Sequence, residues 1–178
     1  MSDIVRFDNM DFPVMKIPNS GEGNNCLGFA LGNFLKCKPA ELRESIRAMV
    51  VINASDADFL NNVCLSLFEG DEIDPENRYS KILSALNAGC FLPAELFIMW
   101  CMKSHAKKIY LLNCNVVFFI KRKDHYESVV SYLENVSLST CYIGCNNFHY
   151  EQLLMQKKNS LLFDVAYFAK SESVSPGT

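Results

Sequence analysis

Apolar residues at Leu27, Ala30, Leu31, Phe34 and Leu35 recur every three to four positions, which predicts a helix beginning at or beside Cys26. Pro39 suits a first helical turn, and Leu42, Ile46, Met49 and Val50 then form one face of a second helix. Ser55 and Asp58 read as a capping box for a third helix bearing Phe59, Leu60, Val63, Cys64 and Leu67. The acidic stretch from Glu69 to Glu76 reads as a loop, Tyr79 to Ala88 as a fourth helix stopped by Gly89, and Pro93 to about His105 as a fifth, apolar nearly all round and therefore central. Beyond it the period becomes strand-like at Lys108 to Leu112, Val116 to Ile120, Leu138 to Gly144 and Leu161 to Phe168, with a short helix expected over Tyr126 to Leu133. Residues 1–20 read as an extended, loop-rich entry in which Val14 to Ile17 could form a short strand, because Pro13 and Pro18 discourage helix. Helices first and strands later argue for an α+β domain whose helical part packs on a small, mostly antiparallel sheet.

Length adds a bound to this picture. At 178 residues the chain is long enough for one compact core and short for two, so one domain over residues 1–170 is expected, followed by a polar tail at 171–178. An apolar share of 49% against 21% charged residues excludes a disordered chain. A formal net charge of −3 gives no sign of a nucleic-acid partner, and Lys121-Arg122-Lys123 reads as a solvated turn. No run of about 20 apolar residues could span a bilayer, and Met1-Ser2-Asp3 does not open a signal peptide. The eight cysteines mostly lie inside apolar runs and form no Cys-x-x-Cys pair. They read as reduced core residues of a cytoplasmic protein. Cys141, Cys145 and His149 imitate zinc-ligand spacing but lack a second ligand pair, so no metal is expected.

One cysteine differs from the rest in its setting. Cys26 follows Gly21-Glu22-Gly23-Asn24-Asn25 and opens a helix, where partial positive charge and free N–H groups favour a thiolate. The glycines can take backbone conformations that aim loop donors at a developing oxyanion, which makes Gly23, Asn24 and Asn25 candidate oxyanion residues. For Asn24 and Asn25 ordinary turn chemistry is the alternative. A reactive thiol also needs an imidazole from elsewhere in the chain. His105 ends an apolar helix and reads as a surface residue. His125 and His149 each stand in a His-Tyr-Glu triplet. His149 follows an apolar strand through the turn Asn146-Asn147-Phe148, whereas His125 follows the most basic turn of the chain, and a base on a rigid sheet rim is the better held. Tyr150 is expected to pack beside the site and Trp100 to lie in the core.

Three segments together resemble a known family. Gly21 to Leu31, reading G-E-G-N-N-C-L-G-F-A-L, resembles the nucleophile motif of the ovarian-tumour (OTU) deubiquitinases, roughly D-G-N-C-L-F-x-A followed by an apolar residue. Phe148 to Leu153 resembles that family's H-Y-x-x-L motif, and Gly89 to Leu96, leading through a helix to Lys108 to Leu112, resembles its W-G-x-x-x-E-L segment and following strand. The segments stand in family order, and that order selects His149 over His125. In two places this chain departs from the pattern. Gly23 replaces the aspartate three residues before the cysteine, with Glu22 one step earlier, and Glu151 stands where many members carry the Asp or Asn that orients the histidine; Asn24, Asn146 and Asn147 are rival amide partners.

The resemblance implies a papain-like, OTU-like fold and a catalytic set of Cys26, His149 and Glu151. It further implies a cofactor-free monomer acting on ubiquitin or ubiquitin-like conjugates through a thioester. The compressed loops suggest a viral or bacterial-effector member working in a host cytosol. Three alternatives stay open: a papain-like protease for a polyprotein or another modifier, a ubiquitin-binding module of the same fold that lacks turnover, and an α+β interaction domain without any active cysteine.

Overall fold

The computed structural model describes residues 3–7 and 9–155; the strand expected at 161–168 and the tail at 171–178 lie outside them. Six strands close into a barrel in the order β1-β2-β6-β5-β3-β4, and six helices cover one side of it.

The N-terminal entry is more regular than its prolines suggest. β1 (Asp3–Phe7) and β2 (Met10–Ile17) form a hairpin turned at Asn9, which has φ 62°. Pro13 is tolerated because β6 (Tyr150–Met155) pairs with β2 only from Val14 onward, so no ladder bond is asked of the missing N–H.

The helical half follows the apolar spacing closely. α1 (Cys26–Leu31) is shorter than its spacing predicts because Gly32, with φ 54°, turns the chain into a single 3₁₀ turn. α2 (Pro39–Ile52) buries Leu42, Ile46, Met49 and Val50 as expected. α3 (Ala57–Leu67) is capped by Asp56, whose side chain accepts from the Phe59 N–H at 3.0 Å, in place of Ser55. α4 (Pro75–Asn87) starts four residues before the expected Tyr79, since Pro75 fits its first turn. It ends at Gly89 with φ 79°, where the Gly89 and Cys90 N–H groups bond the Leu86 and Ala85 carbonyls. α5 (Ala94–Lys103) is central, with Leu96, Phe97 and Trp100 fully buried.

Three sequence expectations are corrected in the second half. Lys108 to Leu112 is not a strand: Lys107–Tyr110 forms the one-turn α6, and only Leu111 makes a bridge, to Leu35. The cause is tertiary, because Lys107 is drawn into the core to bond Glu134 at 2.5 Å and Tyr132 at 3.0 Å. Tyr126–Tyr132 is β4 rather than a helix, paired along β3 (Asn115–Lys121) with a register shift at Phe118/Phe119. The sheet closes into a barrel, which the sequence did not announce; its pairings are mostly antiparallel as expected, but β3 runs parallel to β5 (Thr140–Cys145) and β1 parallel to β4. The chain returns from β3 as β4 on one side and then crosses to the other side as β5. Buried Asn115 pins that crossing by donating to the Asn135 and Leu138 carbonyls and accepting the Glu134 and Asn135 N–H groups.

Alternation along β3 separates two cores. Val117 and Phe119 join Val5, Phe12, Val14, Tyr126 and Leu153 inside the barrel, while Val116 and Phe118 face the helices. This double burial explains the continuous apolar run of β3. No helix among the described residues is long and apolar enough to cross a membrane.

Candidate active site

The loop before α1 is built on left-handed residues that its glycines and asparagine permit: Gly21 has φ 64°, Gly23 φ 67° and Asn24 φ 58°. They curl 22–24 into a 3₁₀ turn whose Asn24 and Asn25 N–H groups bond the Gly21 and Glu22 carbonyls at 3.0 and 3.3 Å. The Phe29 N–H makes the first bond of α1, to the Asn25 carbonyl, and the helix opens with the Cys26 side chain at its N-terminal end.

Opposite stands the hairpin of β5 and β6. Its two central residues, Asn147 and Phe148, have φ 57° and 60°, and Asn146 and His149 exchange both backbone hydrogen bonds at 2.9 and 3.2 Å. That is a type I′ turn, which matches the twist of the flanking strands. Left-handed backbone is costly for a side chain as bulky as Phe148. The turn is held from outside: Phe148 packs edge-on against Phe91 at 5.5 Å, and Phe91 stacks on Tyr150 at 4.8 Å. Tyr150 packs beside the site without entering it, its hydroxyl donating to the Leu92 carbonyl and its own carbonyl accepting from Asn19 Nδ2, both at 2.9 Å.

These two pieces of backbone meet at Gly21. A Cβ added to Gly21 would lie 3.1 Å from His149 Cε1, 3.2 Å from His149 Nδ1 and 3.5 Å from Cys26 Cβ. The imidazole and the Cys26 side chain thus border the same small space, with Nδ1 on that side. The other ring nitrogen, Nε2, lies 3.9 Å from Glu151 Oε2, within ion-pair reach but too far for a direct hydrogen bond. His149 is about one-third exposed, whereas Cys26 is 2% exposed.

That burial reverses one expectation from the sequence. Desolvation pushes the Cys26 thiol up from its ordinary value, opposed by hydrogen bonds from the Tyr150, Cys26 and Leu27 N–H groups and by the charge of Arg43. The helix start does favour the thiolate, but burial outweighs it. Cys145, which opens the turn, is also pushed up by burial, and its sulfur accepts from the Phe148 and His149 N–H groups.

The other two histidines lie elsewhere. His105 is exposed beyond α5. His125 is buried at the β1–β4 seam, with Nδ1 2.6 Å from Asp124 and 3.3 Å from Arg6, and Nε2 2.9 Å from Glu127. Both of its ring nitrogens are occupied. Asn24, one of the rival amide partners, is spent on the Gly89 carbonyl at 3.0 Å, and the candidate oxyanion residue Asn25 accepts from Arg43 through its side chain. Sequence reasoning missed Arg43. No short motif announces it, and only its place on an otherwise apolar helix face hinted at a role.

No protein-family model matches the chain, and no curated protein matches it. Solved structures that resemble it include the OTU domain of OTUD1, at 14% identity over 79% of this chain and 85% of that one, with a TM-score of 0.49. The viral OTU domain protease from Dera Ghazi Khan virus is 14% identical over 81% and 82% of the two chains, with a TM-score of 0.48. That from Farallon virus is 14% identical over 88% and 98%, with a TM-score of 0.41.

Proposed function

We propose that this chain is a cysteine-type deubiquitinase, in which Cys26 is the nucleophile, His149 its base and Glu151 the group that orients the imidazole. The observation that carries the reading is the convergence at Gly21 of Cys26 and the Nδ1 side of His149, with Nε2 turned toward a carboxylate. This is the division of labour that a thiol–imidazole pair requires.

His149 Nδ1 takes the thiol proton as Sγ attacks the carbonyl carbon, forming the S–C bond. Negative charge moves to the carbonyl oxygen; the turn has used the Asn24 and Asn25 N–H groups, so the loop donors to it are the N–H of Gly23 and that of Cys26, which otherwise turns to its own sulfur. The C–N bond then breaks, the amine leaves with the proton from His149, and a thioester remains on Cys26. Water deprotonated by His149 attacks the thioester, and the carboxylate product and free thiol are released. Because burial raises the Cys26 thiol, proton transfer to His149 during attack fits better than a standing thiolate.

A substrate with an extended tail suits the surroundings. A cavity of about 570 Å³ opens beside the turn, walled by Phe91, Phe148 and Tyr150 and edged by the carboxylates of Glu69 and Glu95. Apolar and cationic side chains on such a tail would find partners there. The choice of ubiquitin among tailed modifiers comes from the motif resemblance at 21–31 and 148–153. The test is a ubiquitin probe with a C-terminal electrophile. A covalent adduct mapped to Cys26 and lost in Cys26→Ala supports the proposal; no adduct, or one that survives the substitution, refutes it. Labelling by a different modifier alone would favour the alternative substrate class.

A further inference from the structure

Arg43 lies on α2 at 8% exposure, and each of its three guanidinium nitrogens has a partner. Nη2 donates to the Asn24 carbonyl at 2.8 Å, Nε to Asn25 Oδ1 at 3.2 Å, and Nη1 reaches the Cys90 sulfur at 4.0 Å. None of these three partners carries a formal charge. A buried arginine is ordinarily matched by a carboxylate, since removing a cation from water is costly. Here the fork grips the residue that caps α1 and the peptide just before it. Asn24 in turn donates to the Gly89 carbonyl, so α2, the 21–25 loop and the 89–90 loop are braced together directly behind Cys26.

From this arrangement we infer that Arg43 is a positioning residue for the nucleophile: its fork fixes the backbone from which Cys26 projects, and its charge, which meets no carboxylate among the described residues, stabilises negative charge on the Cys26 sulfur. The inference rests on the reading of Cys26 as nucleophile but not on the identity of the substrate. The field of Arg43 reaches both Cys26 and Cys90, favouring the ionised form of each against burial. Lysine would keep the charge but could not make the Nε and Nη2 bonds at once.

The experiment compares wild type, R43Q and R43K in two assays. Iodoacetamide alkylation is followed against pH by peptide mass spectrometry, with Cys37 as internal reference because burial and Glu41 perturb it rather than Arg43. The kcat/KM of a ubiquitin C-terminal reporter is measured alongside. In R43Q the midpoint for Cys26 is expected to rise by roughly half a unit to one unit while that of Cys37 stays put. In R43K the midpoint returns to the wild-type value while kcat/KM falls by roughly tenfold. An unshifted Cys26 midpoint in R43Q, or wild-type kcat/KM in R43K, overturns the inference. Should R43Q lose its cooperative melt, R43K still decides. If wild type leaves the reporter uncut, the substrate reading fails, and the alkylation midpoints judge Arg43 independently.

Discussion

At Gly21 the lack of a side chain leaves open the space that the His149 ring and the Cys26 side chain both border. A methyl group there would sit 3.1–3.2 Å from the imidazole and in a backbone region that alanine disfavours. Gly21→Ala is therefore expected to lower kcat/KM by roughly 10- to 100-fold through displacement of the ring, with a much smaller effect on thermal stability. An equal loss of stability and activity in calorimetry and kinetics would contradict this. Glu151 Oε2 lies 3.9 Å from His149 Nε2, so in the orienting role proposed for it Glu151→Gln should cost on the order of tenfold in kcat/KM, less than a directly bonded triad carboxylate would. The setting of Cys26 was legible in the sequence, because a glycine-rich loop opening a helix is a local signal. The direction of its thiol shift was not, since the burial that sets it comes from a core assembled out of distant segments of the chain. Arg43 was hidden for a similar reason: its partners at 24, 25 and 90 meet only after folding.

Among the elements, α1 and the β5–β6 hairpin carry the candidate site, and α1 is wedged tightly. A Cβ on Gly28 would come 2.6 Å from the Cα of Pro39, a backbone atom that cannot swing aside. Gly28→Ala should force α1 away from α2, cost about 1–3 kcal/mol, and lower activity in step because Cys26 moves with the helix; thermal melts and reporter turnover check both. The helical spacing of α2 and α5 was readable because each presents a long apolar face to one core. β4 was misread as a helix because Tyr126–Tyr132 owes its form to pairing with β3 across a register shift, which no local pattern records. The strand expected at 108–112 failed because Lys107 is buried against Glu134 and Tyr132, a contact between distant segments.

Closure of the whole molecule depends on the β1–β4 seam, where Val5 pairs with Tyr126 beside His125. Hydrogen bonding to Asp124 and then Glu127 raises the His125 imidazole above its ordinary value, while the same contacts lower both carboxylates. A raised imidazole stabilises the fold fully below about 6.5, the ordinary histidine value, and that contribution is lost as pH rises through the folded value. His125→Gln should thus narrow the gap in melting temperature to wild type between pH 6 and pH 8.5; a gap that widens over this range would refute the seam's protonated state. The His-Tyr-Glu triplets at 125 and 149 are identical in sequence, and only the folded molecule separates a histidine at the barrel seam from one that borders the same space as Cys26. The decisive measurement is turnover of a ubiquitin C-terminal amide by Cys26→Ala, His149→Gln and His125→Gln at a temperature where all three are folded. Loss of turnover in the first two with activity kept in the third is the expected result, and a His149→Gln enzyme that still turns over at the wild-type rate would contradict the account.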